Sequence, residues 1–276
     1  EFHTILGVFL HPSFFMIIFL IYGEICKYPS YSLNAGDSYT GKMDKARVQF
    51  VRAQLEEVVG MLADRTGKPL DKDRLLEVAD QSNEATTLWR SYLDLGKKHP
   101  SPMTVWDGFY RLGLVVSERG RQEAVEFYDQ LVSETVDAGS AVGEEKHRLL
   151  WDNLPPWFAF GELKRKFGSH GIAVVGSTYL DVWKKELDTS SYDGLMDSLA
   201  QVYALMYTNL TVSQRVELWG DMVEAYDVEG VLWHNNLSCH TFSREQRVIA
   251  DALRTRFGED FRNIHFNGCM GLSDRF

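Results

Sequence analysis

The sequence predicts an α/β chain in which parallel-sheet α/β units are joined by a helical block. Three observations carry that expectation. Apolar residues recur at spacings of three and four across residues 42–139, the period of amphipathic helices. Beyond residue 145 the period changes, and short β-branched or aromatic runs alternate with helical stretches, the pattern of βαβ units around a parallel sheet. The chain is also long and apolar enough to bury such a sheet. Its 276 residues are 45% hydrophobic and 25% charged, proportions of a globular protein with one large domain or two ordinary ones.

Residues 4–22 are apolar except for His11, Pro12 and Ser13. Pro12 removes a donor and pushes His11 out of helical space, so residues 5–10 and 14–22 read as buried parallel strands. A membrane segment is the alternative, since the length is near that of a spanning helix, but the basic flank of a signal peptide is missing. Opening on core-like sequence, the chain is expected to lack its natural N-terminus, with residues 1–40 the remnant of an incomplete N-terminal α/β domain.

Residues 41–140 form the helical linking block. Phe50, Leu55, Val58, Val59 and Leu62 mark one face of a first helix, which Gly67 and Pro69 end. A second opens near Asp71, carries Leu75, Leu76, Val78, Ala79, Leu88, Trp89 and Tyr92, and stops at Gly96. A third follows Ser101-Pro102, with Val105, Trp106, Phe109, Leu112 and Val116 on its apolar face. A fourth runs from Gly120 to Gly139 through Val125, Phe127, Leu131 and Val136. The small, polar residues 137–145 read as a boundary, and residues 141–276 as a C-terminal α/β domain. In that domain strands are expected at 148–151, 172–175, 231–233 and 263–266. Helices are expected at 157–167, 192–207, 212–225 and 242–257.

Charge and cysteine content narrow the function. Twenty-nine Lys plus Arg against 39 Asp plus Glu leave a formal net charge of −10, which repels phosphate backbones and argues against nucleic acid as partner. Three cysteines are an odd number for a disulfide framework and fit a reducing, cytoplasmic setting. There is no GxGxxG, P-loop, HExxH or GxSxG motif, and no CxxC.

Ligands of parallel sheets gather at the carboxyl ends of the strands, where the unusual residues of this sequence lie. The first candidate loop, after strand 231–233, is His234-Asn235-Asn236-Leu237-Ser238-Cys239-His240. A following helix N-terminus would lower the pKa of Cys239 and suit a nucleophile or soft-metal ligand. The plainer reading is a buried free thiol among helix-capping polar residues. The second candidate is Phe266-Asn267-Gly268-Cys269-Met270-Gly271, equally readable as an ordinary turn. The third is the elbow Asn153-Leu154-Pro155-Pro156-Trp157, whose tryptophan is either a pocket wall or core. Cys26 precedes a proline turn and reads equally as buried.

From Lys45 onward the sequence resembles the family of 2-hydroxyacyl-CoA dehydratase and benzoyl-CoA reductase subunits. The landmarks are RVQFVRAQLEEVVGMLADRTGKPLDKDRLLEVADQSNEATTLWR, HPSPMTVWDGF, HRLLWDNLPPWF, GSTYLDVWKKE and DVEGVLWHNNLSCHTFSREQ. This resemblance implies Rossmann-like α/β domains joined by helices and a low-potential [4Fe–4S] cluster held by cysteines. It also implies a homologous sister subunit, an ATP-hydrolysing iron–sulfur activator and an acyl-CoA thioester substrate. Cys239 falls on the family's cluster-ligand position. The family's other cluster cysteines belong to the N-terminal domain, where only Cys26 occurs. The family typically ends the last strand with Asp-Gly-Asp-x-x-Asp-x-Arg-x-Phe, and two of those acids are replaced in the stretch from Asn267 to Phe276, which makes Cys269 a further candidate ligand. Candidate catalytic residues are His234, Asn235 and Ser238, with His240 a further candidate proton carrier, and Asn153 and Trp157 are candidate substrate contacts. The leading expectation is a benzoyl-CoA reductase-type iron–sulfur subunit. A ketyl-radical 2-hydroxyacyl-CoA dehydratase subunit and a non-catalytic electron-relay or structural partner are the alternatives.

Overall fold

The computed structural model of the chain describes residues 45–157, 159–237 and 239–268. The expected remnant at 1–40, with Cys26, lies outside the described residues, as do Ser238 and Cys269. Five helices come first: α1 (Lys45–Thr66), α2 (Lys72–Asp94), α3 (Val105–Arg111), α4 (Gly113–Ser117) and α5 (Gln122–Thr135). Then follow β1 (His147–Asp152), α6 (Phe160–Ser169), β2 (Ile172–Ser177), α7 (Thr178–Asp181), α8 (Tyr192–Ala204), α9 (Val212–Tyr226), β3 (Gly230–Asn236), α10 (His240–Ser243), α11 (Gln246–Phe257) and β4 (Arg262–Gly268).

The four strands form a parallel sheet in the order β2-β1-β3-β4. The chain steps outward from β1 to β2, then crosses to the other side of β1 for β3 and β4. The winding therefore reverses between β1 and β3, where open α/β sheets leave a crevice at the strand ends. Alternate residues of each strand serve opposite faces. Leu149, Trp151, Val174 and Leu232 join Trp89, Trp106, Phe109, Phe160 and Leu163 from the helices on one face. Leu150, Val175, Val231 and Trp233 pack on Trp219, Val223, Ile249 and Leu253 of α9 and α11 on the other. A separate cluster joins α1 to α8 through Val51, Leu55, Met196, Ala200 and Ala204.

Strand β3 and the expected helices at 105–116 and 242–257 depart from their expected bounds, the last of these divided into α10 and α11. Strand β3 continues through His234, Asn235 and Asn236, because β4 pairs with all three, opposite Phe266, Asn267 and Gly268. Those residues are therefore strand and not loop. The expected third helix breaks at Leu112 into α3 and α4. The Tyr128 hydroxyl enters the turn, accepting from the Val115 N–H at 2.9 Å and donating to the Arg111 carbonyl at 2.8 Å, so it replaces an i→i+4 backbone bond. Val116 consequently turns outward and is 44% exposed. In α1, Phe50 is 51% exposed because only the narrow stripe of Val51 and Leu55 meets α8.

The polar segment before β1 is anchored. Buried Arg148 pairs with Glu145, and its guanidinium also donates to the carbonyls of Gly96 at 2.7 Å, Lys98 at 3.1 Å and Tyr226 at 3.0 Å. One side chain thus stitches the helical block to the sheet. Gly171, at φ +70°, turns α6 into β2 where a Cβ would sit 2.6 Å from the Glu144 carbonyl oxygen. No helix among the described residues is long and apolar enough to cross a membrane.

Candidate functional site

The site is built at the carboxyl ends of β1, β2 and β3. Asp152, the last residue of β1, has no exposed surface. Its Oδ1 accepts from Thr178 Oγ1 and Tyr207 Oη, each at 3.2 Å, and its Oδ2 accepts from Gln246 Nε2 at 2.5 Å. Burial pushes the Asp152 carboxyl up to about 6, against these donors and the nearby charge of Arg215. Arg215 is itself fully buried, donates to the carbonyls of Tyr207 and Thr208, and lies 4.9 Å from the Tyr207 ring centre.

Asn153 follows in the left-handed region, at φ +80°, which asparagine tolerates better than most residues. Its Nδ2 donates to the His234 carbonyl at 2.8 Å and to Ser243 Oγ at 2.9 Å, and its Oδ1 accepts from the Leu154 N–H at 2.6 Å. The amide is therefore fully engaged within the chain. His234 is buried at the switch point, with Nδ1 2.7 Å from the Leu154 carbonyl oxygen. A carbonyl partner requires the proton on that nitrogen. Burial keeps the ring neutral by lowering its pKa, and the ring stacks on Phe266 at 5.0 Å and 10°. Asn235 is half-buried and donates across the strand pair to Asn267 Oδ1 at 2.8 Å.

Cys239 lies between the end of β3 and the single turn of α10, half-buried. Its N–H donates to the Asn236 carbonyl at 3.1 Å, and its carbonyl accepts from the Ser243 N–H at 3.3 Å. Burial pushes the thiol above its ordinary range, although the backbone N–H groups of Phe242 and Thr241 pull the other way. That overturns the expected net depression. A four-residue helix offers its N–H groups but does not outweigh desolvation.

A run of ring contacts leads from the surface to Phe242, three residues after Cys239. Trp157, 43% exposed, lies 5.3 Å from Phe160 and 6.4 Å from Tyr179, ring centre to ring centre. Tyr179 lies 6.0 Å from Phe242, which stacks at 5.6 Å on Tyr207. Burial, and then the Cys239 charge, push the Tyr179 hydroxyl up to about 12.

The donor chemistry at Cys239 fits an iron ligand, because a half-buried thiol just past a strand is a soft donor, and the backbone N–H groups of Phe242 and Thr241 offset part of the burial cost of its thiolate. Among the described residues no group of three or more His, Cys, Asp or Glu converges, and Cys239 is the cysteine they contain. The structure brings Asn153, His234 and Cys239 into one connected assembly and leaves Trp157 at its rim. Sequence reasoning passed over Asp152, Tyr179, Tyr207 and Gln246. Asp152 had a readable signal, since an acid ending a run of buried strand residues needs buried donors.

A model of the family described as 2-hydroxyglutaryl-CoA dehydratase, D-component, matches residues 15–268. A benzoyl-CoA reductase subunit of Thauera aromatica is 30% identical over 84% of this chain and 57% of its own length. The (R)-2-hydroxyisocaproyl-CoA dehydratase alpha subunit of Clostridioides difficile is 27% identical, over 73% of this chain and 50% of its own. The alpha subunit of (R)-2-hydroxyglutaryl-CoA dehydratase from Acidaminococcus fermentans is 26% identical, over 73% and 42%. The chain spans about half the length of the curated relatives it matches.

Proposed function

The chain belongs to the 2-hydroxyglutaryl-CoA dehydratase D-component family, and on that premise we propose that it is the iron–sulfur subunit of a benzoyl-CoA reductase-type enzyme. The observation that carries this reading is the run of ring contacts from exposed Trp157 through Tyr179 to buried Phe242, three residues after Cys239. A flat, conjugated acyl group matches such a run of rings, and offset or edge-to-face contacts between rings favour it over an aliphatic chain. The likeness to a benzoyl-CoA reductase subunit, at higher identity and coverage than the two dehydratase subunits above, points the same way.

In this reading Cys239 holds an iron of a [4Fe–4S] cluster, whose remaining ligands come from outside the described residues, with Cys26 and Cys269 as candidates. When bound, the cluster supplies low-potential single electrons to the acyl-CoA thioester. The protein's own contribution is placement and environment. Backbone N–H groups of Thr241 and Phe242 offset part of the burial penalty on the thiolate, exposed Trp157 orients the acyl group, and the buried rings behind it exclude water. His234, neutral and with Nδ1 committed to Leu154, holds the strand end and carries no charge at neutral pH. A homologous sister subunit and an ATP-hydrolysing activator complete the proposed assembly. The dehydratase reading stands beside it on the likeness to dehydratase alpha subunits.

Iron and acid-labile sulfide analysis of anaerobically purified protein, with electron paramagnetic resonance after reduction, tests the cluster. About four irons per chain are expected, the content of one cubane, and Cys239→Ser should lose them. Absence of iron in strictly anaerobic protein with its partner present overturns the reading. Turnover of a 2-hydroxyacyl-CoA without net reductant would replace the reductase by a dehydratase.

A further inference from the structure

We propose that Asn153 and Gln246 are positioning residues that hold the Cys239 loop against the sheet through one shared acceptor, the His234 carbonyl. The inference rests on the reading that Cys239 is the working thiolate, and it names what sets that thiolate's place.

The two amides come from different elements, one just past β1 and the other at the first residue of α11. They meet at a single oxygen, Asn153 Nδ2 at 2.8 Å and Gln246 Nε2 at 3.1 Å. Each also locks a second group. Asn153 donates to Ser243 Oγ, which donates to the Asn236 carbonyl at 3.0 Å. Gln246 donates to the Asp152 carboxylate. Ser243 returns to the cysteine itself, its N–H donating to the Cys239 carbonyl. Both flanks of the loop, β3 before it and α10 after it, are therefore tied to the end of β1. Asn153 and Gln246 are almost wholly buried, so neither has water to fall back on.

The residue types are specific. Position 153 needs left-handed backbone and two side-chain donors together, which glycine and aspartate each meet only by half. Glu245, immediately before Gln246, is also left-handed, at φ +68°. Asn153 and Glu245, one after β1 and one before α11, hold such backbone only because the surrounding bonds fix it.

The test is the alkylation rate of Cys239 by iodoacetamide, resolved by mass spectrometry, on the full chain isolated without iron. Asn153→Gly keeps the backbone permissive and removes the amide, and Gln246→Met keeps length and removes the donor. Each is expected to speed Cys239 alkylation about tenfold, as the loop opens more often. Val51→Ala, in the distant α1–α8 contact, is expected to lower the Tm and leave the rate at the parental value. Parental rates in both clamp variants, with circular dichroism unchanged, overturn the proposal, and so does an equal acceleration in Val51→Ala. Should Asn153→Gly not fold, Asn153→Asp, which keeps shape and the Leu154 bond, carries the same expectation and the same overturning result. No iron enters the assay, so its failure is distinct from failure of the cluster reading.

Discussion

Asp152 shows how much a single buried carboxyl can say. Its three donors do not fully offset burial, and its pKa moves from the ordinary 3.8 to about 6. The unfolded chain releases this proton first, so between about pH 4 and 6 the folded state holds the extra proton. Stability falls as pH rises through that window, and the penalty is complete above the folded value. Asp152→Asn should therefore gain on the parent between pH 4 and pH 7 by on the order of 3 kcal/mol, read from urea denaturation at both pH values. A gain that is absent, or a loss, would show that the donors hold the ionised form instead. At this scale Cys239 was legible in sequence, because a cysteine after a strand among polar residues is unusual. Asn153 was legible as part of an elbow, but the destinations of its amide protons, His234 and Ser243, lie 81 and 90 residues away. No local pattern encodes such partners.

At the scale of elements, periodicity placed α1, α2, α5, α9 and the four strands among the described residues near their observed positions. It misplaced what a neighbour decides. The α3–α4 break follows from Tyr128 on α5, whose hydroxyl stands between Arg111 and Val115. Removing that hydroxyl leaves a buried N–H and a carbonyl without their partner. Tyr128→Phe should cost roughly 1–3 kcal/mol, measured by thermal or denaturant unfolding. An unchanged stability would mean the two helices fuse into the continuous one their sequence pattern suggests. The extension of β3 to Asn236 has the same character: polar residues ended the expected strand, and pairing with β4 carried it on. Helix starts were easier, since caps are local. Asp71 accepts from the Arg74 N–H at 3.0 Å, and Thr211 and Gln214 form a capping box.

Across the whole molecule the cores are unequal. The sheet is covered on both faces by large buried clusters, while α1 is held to α8 by Val51 and Leu55 and by ion pairs from Arg52 to Asp193 and Asp197. Exposed ion pairs add little. Amide hydrogen exchange should therefore release α1 well before β1 and β3; equal protection throughout would show that the molecule opens as one unit. Arg148 opposes any separation of the helical block from the sheet, because its guanidinium binds carbonyls from both and its partner Glu145 is buried beside it.

By itself the sequence determined the α/β class, the parallel character of the sheet, the place of Cys239 just past a strand and the family the chain resembles. These follow from periodicity, composition and contiguous motifs, which act over a few residues and can be read along the chain. Tertiary structure alone decided that His234 is a stacked, neutral strand residue, that Cys239 is raised rather than lowered in pKa, and that Asp152, Asn153 and Gln246 share one hydrogen-bonded clamp. The reason is physical. Burial and the pairing of buried donors with acceptors depend on which distant segments meet, and only the assembled sheet with its covering helices brings residues 152, 178, 207, 234 and 246 to one point.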